Sequence, residues 1–306
     1  MTVGGGVPGW MRALPDGREI SALGFGCSSL WASPGYDESQ AQAMLDALVL
    51  EGVNHFDTGP SYGAGVGERR LGDFIARRGM SDLVIATKVG TNLIDGVIHR
   101  GFAANDMARS FDDSLKRLRT DRVDLLYLHG PSLVDLTSES LDFLQDQKAR
   151  GRVSWVGVNS FDPRVLERLV DLPIDAVMLQ YNVGDFRNAA ALDRLQRAGK
   201  MVFSGTALAR ARFAWRSYLP RDRAGLWYLA RLLKDDPFAP LRALSLARRM
   251  RQAGKPLAEV AAQFVVSDQR VLSSLFGTSR IDHARANARA GHERLDPEIW
   301  KALRGA

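Results

Sequence analysis

Residues 53–79 read VNHFDTGPSYGAGVGERRLGDFIARRG. An apolar run that closes on a carboxylate, VNHFD, gives way to Gly, Pro and Ser. A helical pattern, GERRLGDFIARRG, then begins and stops at glycine. Strand, loop and helix in so few residues make one α/β unit, and the rest of the chain repeats it.

Seven more strand-like runs join VNHFD: SALGFGCSSL (21–30), LVIATKV (83–89), VDLLYLH (123–129), VSWVGVN (153–159), AVMLQYN (176–182), MVFSGTAL (201–208) and VLSSLFG (271–277). Between them lie DESQAQAMLDALVLEG, DMARSFDDSLKRLR, SESLDFLQDQKARG, DPRVLERLV and NAAALDRLQRAG, several opening on an Asp, Ser or Asn cap and closing at Gly. Eight rounds of strand then helix predict an α/β fold, a (β/α)8 TIM barrel. A doubly wound sheet would place G-x-G-x-x-G after its first strand, and Gly24-Phe25-Gly26-Cys27-Ser28-Ser29 stops short of that pattern.

Two features lie outside the rhythm. Residues 11–20, with Pro15-Asp16-Gly17 as a turn, predict a short hairpin ahead of the barrel. Residues 209–240 follow the seventh strand, are irregular, and hold arginines such as Arg210, Arg212, Arg216, Arg221 and Arg223 beside Trp215, Tyr218, Trp227 and Tyr228. A long aromatic loop at the end of a barrel strand is expected to serve the site. No linker or low-complexity block interrupts 1–306, so one domain is expected.

The composition is that of a soluble globular chain, with 45% hydrophobic and 25% charged residues in 306. No run nears the roughly 20 apolar residues of a membrane span, and the start lacks the apolar segment of a signal peptide, so the cytoplasm is the expected compartment. The lone Cys27 rules out an internal disulfide and a multi-cysteine metal site, and reads as a packing residue on the first strand. The net charge of +6 is spread along helices, which weighs against nucleic acid as a partner. No metal site is expected.

Asp57, Lys88 and His129 each end, or nearly end, an apolar run, and Tyr62 follows Asp57 in the next loop. In a barrel the C-terminal strand ends meet on one face, so these four residues share one mouth. A phenol with pKa near 10 is a poor acid at neutral pH, but an adjacent ammonium favours the phenolate and draws that pKa down. Lys88 supplies the charge in this reading, and Asp57 keeps the lysine protonated and in place. His129 orients a substrate carbonyl or relays the proton. Singly, each has a bland role as cap, solvated lysine, structural histidine or packing tyrosine; together they point to catalysis.

With those residues in view, the chain resembles the aldo-keto reductase superfamily. The resemblance is carried by ALGFGCSSL, HFDTGPSYGAGVGERRLGDFI, VIATKVG, DSLKRLRTDRVDLLYLHGPS, GRVSWVGVNSF, MLQYN and FGTSRIDHARANA. Within that superfamily, YGAGVGERRLG and TDRVDLLYLH look closest to the bacterial aldose-dehydrogenase and pyridoxal-dehydrogenase-like branch. The resemblance implies that NADP(H), with NAD(H) as the alternative, binds in extended form without a Rossmann domain. It also implies hydride exchange with a small carbonyl or alcohol substrate, with Tyr62 as general acid, Lys88 its modulator, Asp57 the partner of Lys88, and His129 orienting the substrate.

By the same resemblance Gln180 matches the glutamine on the nicotinamide carboxamide, and Asn287 the asparagine near adenine. Asn159-Ser160 stands where the family commonly has Ser-Asn. Gly205-Thr206-Ala207-Leu208 replaces an aromatic-Ser-Pro-Leu stretch, so the aromatic platform under the nicotinamide leaves its register, with Phe203 or a loop aromatic as substitutes. Thr278, Ser279 and Arg280 are candidates for a 2′-phosphate, with Arg280 one place later than the family's arginine. Trp31, Ser61, Trp155 and the 209–240 loop are candidates for the substrate pocket, although Trp155, early in its strand, reads as core. Rival readings are net oxidation, aldose to lactone, and a non-catalytic nucleotide-binding barrel. RNA binding by the arginine-rich loop ranks below both.

Overall fold

The computed structural model describes residues 9–208 and 238–305. In chain order its strands are β1 (Met11–Ala13), β2 (Glu19–Ser21), β3 (Leu23–Gly26), β4 (His55–Asp57), β5 (Val84–Val89), β6 (Thr91–Ile94), β7 (Val97–Arg100), β8 (Val123–His129), β9 (Val153–Asn159), β10 (Ala176–Leu179), β11 (Met201–Ser204) and β12 (Ser273–Phe276). Eight of them close a barrel in the order β3-β4-β5-β8-β9-β10-β11-β12, every neighbour parallel. The expected barrel is therefore present, with helices such as Glu38–Leu50, Val66–Arg78, Ala104–Leu118 and Ser138–Ala149 following its strands.

Two-residue alternation sorts each strand between two apolar layers. Val84, Ala86, Leu125, Tyr127, Met178 and Phe203 fill the barrel interior. Phe56, Ile85, Leu126, Leu128 and Val156 face outward and pack with helix residues such as Leu45, Phe74, Phe111 and Leu144. The same parity turns Lys88 inward above Val84 and Ala86, and His129 above Leu125 and Tyr127. Leu14 and Ile20, from the expected N-terminal hairpin β1–β2, join the interior cluster and close the end opposite the mouth.

Two differences from the sequence reading are local. Several strands are shorter than their apolar runs: the first ends at Gly26, with Ser29–Ala32 forming a 3-10 turn, and the sixth and seventh end at Leu179 and Ser204. Gln180 and Gly205–Leu208 thus belong to loops at the mouth. A second hairpin, β6–β7, follows β5 and was not expected; its loop is Asp95-Gly96, both with positive φ (49° and 76°), the two-residue turn that Asp-Gly favours. Of the loop 209–240, only residues 238–240 are among those described, the last two opening the helix Ala239–Met250.

Candidate active site

Asp57 is the last residue of β4 and His129 the last of β8, while Lys88 is next to last in β5. Lys88 Nζ donates to Asp57 Oδ1 in a short contact and to the Thr58 carbonyl at 2.8 Å. Both side chains are sealed from solvent, at 1% and 3% exposure, so this is a desolvated ion pair rather than a solvated lysine at a mouth. The Tyr62 ring lies 4.9 Å from Lys88 Nζ, centroid to nitrogen, and meets the His129 ring edge-on at 5.6 Å and 83°. The four residues do converge.

The loop bearing Tyr62 is held by close backbone approach. Gly63 has φ +60°, and a Cβ there would stand 1.8 Å from the Ala32 carbonyl oxygen, so only glycine lets this loop press on the turn after β3. That turn is fastened from beneath by buried Arg70, whose guanidinium donates to the carbonyls of Trp31, Ser33 and Tyr36 and pairs with Glu38. Glu68, also buried, accepts from Thr87 at 2.6 Å and from Arg117 at 2.7 Å, tying the helix Val66–Arg78 to β5 and to the helix Ala104–Leu118.

Burial governs the electrostatics. Desolvation is the largest influence on Tyr62 and raises its phenol above the ordinary value near 10, even though Lys88 pulls it down. The sequence reading has the sign of the lysine's effect right, but the net shift is upward because burial exceeds it. Desolvation also raises Asp57 above the usual carboxylate value, against the pull of Lys88. For Lys88, burial favours the neutral amine, but Asp57 and Tyr62 together outweigh it and hold the pKa above 10.5. His129 is pushed down to about 3, by desolvation first and then by Lys88 and Arg100, so its imidazole is neutral. A neutral ring suits orientation by hydrogen bonding better than proton relay. Cys27, fully buried with its thiol raised well above normal, is a packing residue.

Asp57, Tyr62 and His129 open into a cavity of about 1170 Å³ that also reaches Asn159, Gly205, Thr206, Leu208, Thr278, Ser279 and Asn287. One cavity joining a proton-transfer group to amide, hydroxyl and apolar walls fits an extended nicotinamide dinucleotide. Trp31 lines it too, with an indole only 1% exposed, so it is core and wall at once.

Other expected contacts sit differently. Gln180 is outside the described lining and donates to Asp185 at 2.6 Å. Ser160 is buried behind Asn159, its hydroxyl accepting from the Asp162 amide. Arg280 also lies off the lining: its guanidinium pairs with Asp282 at 2.6 Å, while its amide donates to Thr278. Ser61 and Trp155 are buried away from the lining, Trp155 in the barrel interior.

The missing aromatic has a local answer that sequence reading did not find. Phe203 is enclosed in the barrel between His55 and Tyr127 and cannot serve. Phe161 lines the cavity, about a third exposed, with its ring against Gly205: a Cβ there would come 3.1 Å from Cζ. Its position directly after Asn159-Ser160 was the available signal.

Comparison with known proteins bears on the family and the fold. A family model described as the aldo/keto reductase family matches residues 22–306. The L-glyceraldehyde 3-phosphate reductase of Escherichia coli (strain K12) is 29% identical, covering 90% of this chain and 85% of its own length. The D-threo-aldose 1-dehydrogenase of a Pseudomonas species is 26% identical over 95% of each. Among solved structures, the holo form of an aldo-keto reductase from Bacillus halodurans superposes with a TM-score of 0.79 at 28% identity, covering 96% of this chain and 95% of that one.

Proposed function

Since the chain belongs to the aldo/keto reductase family, whose model spans residues 22–306, we propose that it is an NADP(H)-dependent cytoplasmic oxidoreductase with Tyr62 as general acid and base. Its substrate in this reading is a small aldehyde, ketone or sugar. The observation that carries the reading is the sealed Lys88–Asp57 pair beneath the Tyr62 ring, opening with neutral His129 into a dinucleotide-sized cavity.

A nicotinamide dinucleotide bound in that cavity supplies or accepts the hydride. The chain's own part is proton transfer and orientation. Tyr62, kept protonated by burial, gives its proton to the carbonyl oxygen during reduction. The Lys88 ammonium stabilises the phenolate left behind, and Asp57 with the Thr58 carbonyl fixes that ammonium. Neutral His129 directs the carbonyl oxygen toward the phenol. Phe161 provides the flat wall beside Gly205, Asn159 an amide, and Asn287, Ser279 and Thr278 the far end of the cofactor site.

The same groups run backwards in oxidation, with phenolate as base. The resemblance to a D-threo-aldose 1-dehydrogenase favours sugar oxidation to lactone as the second reading. Initial rates in both directions with NADP(H) and NAD(H), over aldehydes and free aldoses, decide between them. A protein that binds NADPH yet turns over none of them, with Tyr62→Phe indistinguishable from wild type, would remove both.

A further inference from the structure

The β6–β7 hairpin is fastened at its base to the segment that carries His129. Thr91 Oγ1 donates to the His129 carbonyl at 2.8 Å, and Arg100, its cross-strand neighbour, donates to the Gly130 carbonyl at 3.2 Å. Ser110 donates to Asn92 at 3.0 Å, tying the first strand of the hairpin to the helix Ala104–Leu118. These bonds hold an exposed guanidinium just outside the cavity lining, near enough to His129 for its charge to act on the ring that orients the substrate.

That guanidinium has no carboxylate partner among the described residues, whereas Arg109 on the following helix pairs with Asp106 and Arg152 pairs with Asp112. The one carboxylate in the described cavity lining, Asp57, is neutralised by Lys88. Among the described residues, an anion entering here meets a positive charge and no unpaired negative one. One N–H rests on the Gly130 carbonyl, and the remaining donors of the fork suit a planar carboxylate.

The geometry points to Arg100 as a specificity residue that recognises a carboxylate carried by the carbonyl substrate. This rests on the reductase reading above, and the substrate class it names is a carboxylate-bearing aldehyde or ketone. A phosphate meets the same fork bidentately; the carboxylate is the occupant the test probes.

The test compares para-carboxybenzaldehyde with methyl para-formylbenzoate, alike in size and differing in charge, on wild type and Arg100→Leu with NADPH. Wild type is expected to favour the acid, and Arg100→Leu to lower kcat/KM for the acid about tenfold while leaving the ester unchanged. Arg100→Lys should keep part of the preference. No preference in wild type, or a preference that survives Arg100→Leu, overturns the inference. A parallel fall for both substrates also overturns it, since Arg100 would then only support His129. Calorimetric binding of para-(hydroxymethyl)benzoate to NADP-loaded protein separates this from the reductase reading. Binding to wild type but not to Arg100→Leu, without turnover of either aldehyde, sinks the reductase reading and keeps Arg100. Equal binding to both, or to neither, sinks the assignment of Arg100.

Discussion

The Phe161 ring lies against Gly205, so close that a β-carbon on the glycine would stand 3.1 Å from Cζ. Two loops, after β9 and after β11, thus build one aromatic wall, and the glycine is the hollow that lets the ring lean in. If this wall faces the nicotinamide, Phe161→Ala should raise the NADPH dissociation constant about tenfold, in line with roughly 1–3 kcal/mol per aromatic–base stack. Phe161→Tyr should keep wild-type affinity. NADPH fluorescence titration measures both, and unchanged affinity in the alanine variant would take Phe161 out of the cofactor site.

Tyr62 and His129 fix the expected pH profile. The phenol is raised above 10 by burial, so the acid needed for reduction is present through neutral pH and lost only at strongly alkaline pH. His129, pushed down to about 3, stays neutral and adds no acid limb above about pH 4. kcat/KM for reduction should therefore be flat across the middle range and fall only beyond pH 10. Tyr62→Phe should lower kcat by roughly 10²–10⁴-fold with NADPH binding kept. A profile with an inflection near pH 6.5 would contradict the neutral imidazole.

The legible part of this site was the part set by strand parity. Asp57, Lys88 and His129 are polar breaks in apolar runs, and inward-facing residues at the strand ends of a barrel have one place to go. The sign of the Tyr62 shift was not legible, because desolvation depends on what covers the hydroxyl rather than on which charge is near. Gln180 stands just past the end of β10, where its carboxamide takes a partner five residues away, Asp185, and local sequence does not announce that choice. Phe161 was missed for a similar reason: its contact with Gly205 joins separate loops. The β6–β7 hairpin, by contrast, was announced by Asp95-Gly96 between apolar residues and was simply left unread.

Asp57→Asn tests the ion pair. Lys88 is held above 10.5 against burial by Asp57 and Tyr62, so its contribution to wild-type stability is present below about pH 10.5 and is lost as pH rises through the folded value. Removing the carboxylate leaves a buried ammonium without its counter-charge, which costs about 3–5 kcal/mol. Burial then pulls the lysine's folded pKa below its unfolded value, so the variant should gain stability as pH rises while wild type does not. Urea unfolding at neutral and at mildly alkaline pH reads both trends. Equal stabilities at neutral pH would mean that the pair is solvated.

Arg280 and Asp282 bear on the choice between NADP and NAD. The guanidinium reaches Asp282 through Nη2 at 2.6 Å and Nε at 3.2 Å, and both side chains are mostly exposed, at 63% and 62%. An exposed pair of this kind is weak, and a 2′-phosphate with its larger charge can take the arginine from the aspartate. Asp282 is then a competitor for the arginine and, with phosphate bound, a nearby like charge. Asp282→Asn should tighten NADPH binding several-fold and leave NADH unchanged, whereas Arg280→Ala should weaken NADPH alone. Dissociation constants for the two cofactors on the three proteins give the answer. If Arg280→Ala leaves the NADPH-to-NADH ratio where it was, the arginine is a surface residue at a helix start and the phosphate must be held by Thr278 and Ser279, which line the cavity that Arg280 does not.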